Sequence, residues 1–353
     1  MSSSTIGGLG GGGAREFEPG TRRVGELSRI PAFVRQFGVD PASVLAEAGV
    51  KPETLADPAG RIAWESCARL LRVAAARTHC PHFGLHVGRG IRLAERGAPG
   101  ELARNSPTVG AALQELVVDQ HLNSEGALAF LLRKDDALDL GYATYVPFTE
   151  STKQIYDAGL AASMSHMLEL CGGDWNPSEV FFPHSKPVDL APYRRLFRAP
   201  VRFNSTFCAL RFPVHWQARK VVGADAERFR LARAMVEKAD EPTVLDQTLR
   251  ALRLLLLHGK SSGADVAQSL AMHRRTLNRR LKAAGVTFQR VLDHGRFAVA
   301  KELLQESDIA LREIAIALGY ANGVSLIPAF RRWTGTTPGA WREAARKATR
   351  EGS

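Results

Sequence analysis

Ala264 to Gly285 reads ADVAQSLAMHRRTLNRRLKAAG, and this stretch decides how the chain is built. Val266, Ala267 and Leu270 fall at helical spacing and give a first helix its apolar face. Leu277 and Leu281, four residues apart, anchor a second helix on the same core. Arg274, Arg275, Asn278, Arg279 and Lys282 are then left pointing outward. Arg275, Asn278 or Arg279, and Lys282 recur at steps of three and four and line one stripe. A guanidinium reads a guanine edge through two hydrogen bonds, and an Asn amide does the same for adenine. Such a stripe on the second helix of a helix-turn-helix is what reading the major groove requires. The competing explanation is a solvated basic face. The charges sit on the one helix that such a pair presents, which favours DNA.

Composition agrees with this reading. The chain has 353 residues, enough for two or three domains with real cores, and a formal net charge of +11. From Arg250 to Ser353 there are 18 Lys and Arg against 8 Asp and Glu, so the basic excess sits almost wholly in the last third. A basic segment joined to a neutral one fits a polyanion-binding head carried by something else. A membrane surface would demand bulky apolar anchors on an amphipathic helix, or a lipidation signal, and the sequence offers neither. Cys67, Cys80, Cys171 and Cys208 are scattered with no CxxC pair, the usage of a reducing compartment. The N-terminal run MSSSTIGGLGGGGAREFEPGT lacks the apolar core of a signal peptide, and the longest aliphatic run, Leu254 to Leu257, is far too short to span a bilayer. The expected location is the cytoplasm.

Working outward, residues 1–22 are Ser/Gly-rich and are expected to be a disordered tail. Residues 23–240 are expected to form an α+β domain. Its helical signals include Asp40-Pro41, a cap and first-turn proline opening a helix that ends at Gly49. A second helix carries Trp64 to Val73, and Ser106-Pro107 precedes a third over Val109 to Val118. Ala127 to Leu132 and Ala137 to Tyr145 flank the turn Lys134-Asp135-Asp136 as a β-hairpin. Residues 150–171 return to helix, and Val180-Phe181-Phe182 is a short strand. Pro200 to Phe203 and Phe207 to Phe212 are expected to pair as a second hairpin around Asn204-Ser205. Glu241-Pro242 breaks the pattern, and residues 243–347 are expected to form an all-α domain. In it, two helix-turn-helix units flank a long helix from Phe288 to Gln305.

The C-terminal hundred residues resemble the DNA-binding domain of AraC/XylS-type transcription regulators. The resemblance is carried by Arg275-Thr276-Leu277, Arg279, Arg296, Ala300, Ile314-Ala315, Leu318-Gly319-Tyr320, Ala329-Phe330, Arg332-Trp333 and Gly335 to Pro338. It implies two units held by one linker helix and entering successive major grooves. The family's base-reading positions in the first unit fall on Arg275, Asn278 and Arg279. VDPASVLAEAGV, FGLHVG, LARNSPTVGAAL and the run from Val180 to Trp216 resemble the arabinose-binding-type effector and dimerisation domain of the ornithine-utilisation-regulator branch. The residues expected at DNA are thus Arg274, Arg275, Thr276, Asn278, Arg279, Lys282, Arg331 and Arg332. The expected partners are double-stranded DNA, a small-molecule effector, a second copy of the chain and RNA polymerase.

Departures from the family pattern sharpen the reading. His273 stands where the family usually caps with Ser. In the second unit the base-facing positions become Gly323, Val324, Ile327 and Pro328, none able to hydrogen-bond a base through its side chain. If Ser325 capped a shortened helix, Pro328 would fall in its first turn, where proline is tolerated. The first unit is therefore expected to read sequence. The second would grip phosphate through Arg331 and Arg332, with a thymine methyl contact open to Val324 or Ile327.

The expected protein is a ligand-responsive regulator, an activator rather than a repressor. The alternative is a regulator whose first domain only dimerises or docks proteins. The effector's contacts are not readable; Trp64, His86, Tyr142 and His184 have pocket-lining chemistry but are commoner as satisfied core residues. Cys80, His82 and His86 cluster in CPHFGLH without a fourth metal ligand, so neither metal nor cofactor is expected. An enzyme is not expected either, for no nucleophile elbow, metalloprotease pair or dinucleotide fingerprint occurs.

Overall fold

The computed structural model describes residue 17, residues 20–239 and residues 241–351. The expected tail lies mostly outside these residues, but ordered chain begins earlier than residue 23. Strand β1, Thr21–Arg23, pairs antiparallel with β2, Arg61–Ala63. The first helical signals read correctly. Asp40 caps the Pro41–Ala48 helix by accepting from the Ala42 amide at 3.1 Å, and Gly49 ends it in the left-handed conformation. The Val109–Val118 helix is capped by Thr108, not by Ser106-Pro107, because the Thr108 hydroxyl reaches the Ala111 amide at 3.2 Å.

A five-stranded sheet organises the first domain. β3 (Ala127–Lys134) and β4 (Ala137–Thr144) form the expected hairpin, with Lys134 opposite Ala137 across Asp135-Asp136. β5 (Glu179–Phe181), β6 (Val201–Arg202) and β7 (Cys208–Pro213) complete the order β3-β4-β7-β5-β6. The second expected hairpin does not form. β6 pairs parallel with β5, and β7 runs antiparallel between β4 and β5, so β5 lies between the two strands expected to pair. The Asn204 turn joins no hairpin and instead reaches the C-terminal half, where its side-chain oxygen accepts from the Asp308 amide at 2.9 Å. Gly141 on β4 is required by packing: a Cβ there would lie 1.9 Å from the Phe130 ring.

One face of the sheet packs on the 19-residue helix Lys153–Cys171, around Leu138, Leu140, Leu160, Met164 and Met167. The other apolar cluster runs unbroken from the N-terminal helices through β3 into the C-terminal half, joining Trp64, Leu128 and Phe148 to Leu252 and Val299. That half is all helix: Val244–Leu256, Gly263–Ser269, Arg274–Ala283, Phe288–Glu306, Leu311–Ala317, Gly323–Thr334 and Pro338–Glu351. Phe297, Phe330, Trp333 and Trp341 meet edge-on or tilted, with centroids 5.8–6.2 Å apart, and lock the last helices to Phe288–Glu306. No helix among the described residues is long and apolar enough to cross a membrane.

Candidate nucleic-acid interface

The helix Gly263–Ser269 opens with a reciprocal cap, in which Ser262 and Asp265 each bond the other's backbone amide. The turn that follows puts Ala271 at φ 50°, a left-handed conformation that an alanine adopts at a cost. His273 then caps the next helix after all: its Nδ1 accepts from the Arg275 amide at 3.2 Å. Leu277 and Leu281 are fully buried, which fixes the rotation of Arg274–Ala283. Arg274, Arg275, Asn278, Arg279 and Lys282 are exposed as a result, and Thr276 is half-buried. None of those five exposed side chains makes a hydrogen bond or ion pair with another described residue. Five donors kept free on one face of one helix are available to phosphates and base edges. Arg280, also exposed, lies 3.8 Å from the Met272 sulfur and was missed because it lies off the stripe.

In the second unit the second helix runs at full length, without the shortening to Ser325 that would have placed Pro328 in its first turn. Asn322 is the cap, accepting from the Ser325 amide at 3.0 Å, and the helix starts at Gly323. Pro328 is therefore inside the helix, and the Val324 carbonyl four residues back receives no bond from it. Val324 and Pro328 are exposed, with Gly323 and Ile327 half-buried, so this face offers methyl groups and backbone. Arg331 and Arg332 follow on the last turn, both exposed, with Arg332 3.5 Å from Asp293 of the linker helix.

Arg296, on the linker helix Phe288–Glu306, ties the two units together. Its Nη2 donates to Ser261 Oγ at 2.8 Å, before the first unit, and its Nε to the Leu318 carbonyl at 2.9 Å, in the turn of the second. The guanidinium also lies 4.5 Å from the centre of the Tyr320 ring. Gly319 occupies that turn at φ 77°, and a Cβ there would meet Ser261 Oγ at 3.0 Å.

The C-terminal half of the linker helix docks on the first domain through buried polar groups that sequence reasoning did not single out. Glu302 accepts from Tyr156 Oη at 2.6 Å and Thr144 Oγ1 at 3.0 Å, and lies 3.7 Å from the buried Arg253 guanidinium. Arg253 Nε donates to the Thr144 carbonyl at 2.9 Å. One turn on, Glu306 accepts from Ser151 Oγ and from the Thr152 amide, while its own carbonyl accepts from the Ser185 amide. Burial, with the Glu302 carboxylate alongside, pushes the Tyr156 hydroxyl well above its ordinary range, so it stays a donor.

The effector candidates separate. Trp64 and His184 are satisfied core residues. Trp64 donates to Ser124 Oγ at 3.1 Å. His184 bridges Asp157 Oδ1 at 3.2 Å and the Ser185 carbonyl at 2.9 Å. Asp157 is fully buried among Lys153, Tyr193 and His184; burial opposes its charge, but these partners hold the carboxyl at about 2. Tyr142 lines a cavity of about 90 Å³, together with Arg22, Arg23, Arg96 and His166. His86 lines a larger open cleft with His82. The Cys80, His82 and His86 donor atoms lie within 4.8 Å of one another, with no fourth ligand grouped among the described residues. Burial lowers both histidines and raises the Cys80 thiol.

The family model described as the arabinose-binding domain of AraC transcription regulator, N-terminal, matches residues 38–221, and a helix-turn-helix domain matches residues 266–344. The chain is 29% identical over 317 residues to the HTH-type transcriptional regulator VirS of Mycobacterium tuberculosis, covering 88% of this chain and 93% of that protein. It is 26% identical over 316 residues to the ornithine utilization regulator of Pseudomonas aeruginosa, with the same shares covered. The crystal structure of the transcriptional regulator CdpR from Pseudomonas aeruginosa aligns at a TM-score of 0.43 and 23% identity, over 86% of this chain and 96% of that one.

Proposed function

The chain belongs to the AraC family of DNA-binding transcription regulators, and from that premise we propose how it reads its operator. The helix Arg274–Ala283 enters the major groove and reads bases through Arg275, Asn278 and Arg279, while Arg274, Thr276 and Lys282 hold flanking phosphates. The helix Gly323–Thr334 sits in the next groove, grips phosphate through Arg331 and Arg332, and offers only methyl contacts to bases. Residues 23–240 sense a small molecule and dimerise the protein, and residues 243–347 carry the signal to DNA. Bound to its operator in the cytoplasm, the dimer activates transcription by contacting RNA polymerase.

The observation that carries this reading is the free, exposed face of Arg274–Ala283, held outward by the burial of Leu277 and Leu281. The test is footprinting followed by a base-substitution scan of the protected site. Arg275→Ala should cost about 1–3 kcal/mol of operator affinity and relax preference at one base pair. Arg332→Ala should weaken binding to operator and random DNA alike. Equal losses on both DNAs from Arg275→Ala would refute the assignment, as would strong base preference under the second unit that vanishes when residues 323–328 are changed.

A further inference from the structure

The cavity lined by Tyr142 is built from parts that no local sequence pattern brings together. β1 supplies Arg22 and Arg23, the turn at Leu93–Arg96 supplies Arg96, and the helix Lys153–Cys171 supplies His166. Leu113, Leu116, Leu140 and Ile155 form the apolar part of its wall. Its volume is about 90 Å³. One water needs about 15 Å³ on this measure, so the space accommodates a molecule of several heavy atoms.

The charges around it do not balance. Arg22 pairs with Glu26, and Glu95 is taken by Arg29 at 2.5 Å. Among the described residues, Arg23 and Arg96 have no carboxylate partner. Arg96 donates only to the Gln120 amide oxygen. Buried Nε atoms on Arg23 and Arg96 and the buried Nδ2 of Asn123 have no acceptor, and His166 Nε2 has no partner. Three of these four groups can only donate. Glu26 and Glu95 also line the site but are engaged by Arg22 and Arg29, so its spare donors lack free acceptors. Both guanidiniums are half-buried, and a charge drawn partly out of water gains from a further acceptor or counter-charge.

We propose that this cavity is the effector pocket and that it takes a small organic carboxylate. The acid group lies between Arg23 and Arg96, and the hydrocarbon body lies against Leu113, Leu116 and Leu140. The assignment rests on the reading of the first domain as a sensor. Burial lowers Arg96, Glu26 and Tyr142 alongside raise it and the neighbouring Arg22 lowers it, and a bound anion would add to the raising side. The pocket also adjoins the docking contact with the DNA-binding half. The Tyr142 ring packs edge-on against the Tyr156 ring at 6.3 Å, and Tyr156 donates to Glu302 of the linker helix.

The test uses the full-length protein and matched probes: hexanoate and benzoate against hexanamide and benzamide, read by melting midpoint and titration calorimetry. The acids should bind saturably, raising the midpoint by about 5 °C at a hundredfold excess over Kd, while the amides should not. Arg96→Gln should weaken acid binding at least about tenfold. Because that variant removes a half-buried charge, Ala162→Leu, which fills the same cavity from the long helix without removing a polar bond, provides a second test and should abolish binding. Arg195→Gln in the neighbouring open cleft should leave binding unchanged. Equal response to acids and amides, no response to either acid, or an undiminished response in Arg96→Gln or Ala162→Leu would overturn the proposal and leave the cavity as water-filled space. Operator footprinting of the unliganded protein, run in parallel, separates the outcomes. Retained operator binding with no acid response sinks the pocket alone, and loss of both sinks the regulator reading.

Discussion

Removing the Glu302 carboxylate tests how the two halves of the chain are held together. In the native contact Glu302 neutralises Arg253 and takes two hydroxyl donors, with both charged side chains nearly inaccessible. Glu302→Leu leaves the Arg253 guanidinium buried with only the Thr144 carbonyl as partner. Stranding one member of a buried pair costs about 3–5 kcal/mol. The orphaned hydroxyls add little, because Tyr156 Oη and Thr144 Oγ1 are already 3.3 Å apart and can bond each other. Arg253→Met should cost a similar amount by stranding the carboxylate. The double variant strands neither charge and fills the site with apolar volume, so it should be less destabilised than either single variant. That gives a coupling energy of at least about 2 kcal/mol. Urea denaturation followed by tryptophan fluorescence measures the cycle. Hydrogen exchange at the Thr152 and Ser185 amides, both bonded to Glu306, should report the loosened contact in each single variant. If the two single losses simply add in the double variant, the reasoning fails.

Two further predictions concern stability alone. Ala271→Gly should stabilise the protein by about 0.5–1 kcal/mol, since the turn's left-handed conformation costs an alanine more than glycine's extra chain entropy does; a lower melting midpoint would contradict this. Burial holds His166 and His294 neutral, each lowered to about 3. Between the unfolded value near 6.5 and about 3 the unfolded chain binds more protons, so stability must fall as pH falls through that window, by about 1.4 kcal/mol per unit for each histidine. His294→Phe should flatten the slope of urea midpoints between pH 6 and 4.5, and an unchanged slope would refute the assignment.

The sequence made the exposed basic helix Arg274–Ala283 plain because its information is local. Two leucines four apart set the rotation, and the outward residues follow from it. The same locality explains the hairpin over β3 and β4. The pairing of β6 was misread because its partner, β5, enters from some twenty residues earlier, and alternation in a strand does not say which neighbour it meets. The cap of Val109–Val118 moved from Ser106 to Thr108 because both residues carry suitable hydroxyls and only backbone geometry chooses between them. Arg96 gave no signal at all. It reads as one arginine among many until the fold brings β1 and His166 around it.

Arg296 ties the two units to one helix. One guanidinium grips both units from a helix of 19 residues, about 28 Å long. Neither head can swivel to meet a displaced groove without breaking that grip. On the proposed reading, with the two heads in successive grooves, a single inserted base pair turns the far groove by about 36° and should weaken binding.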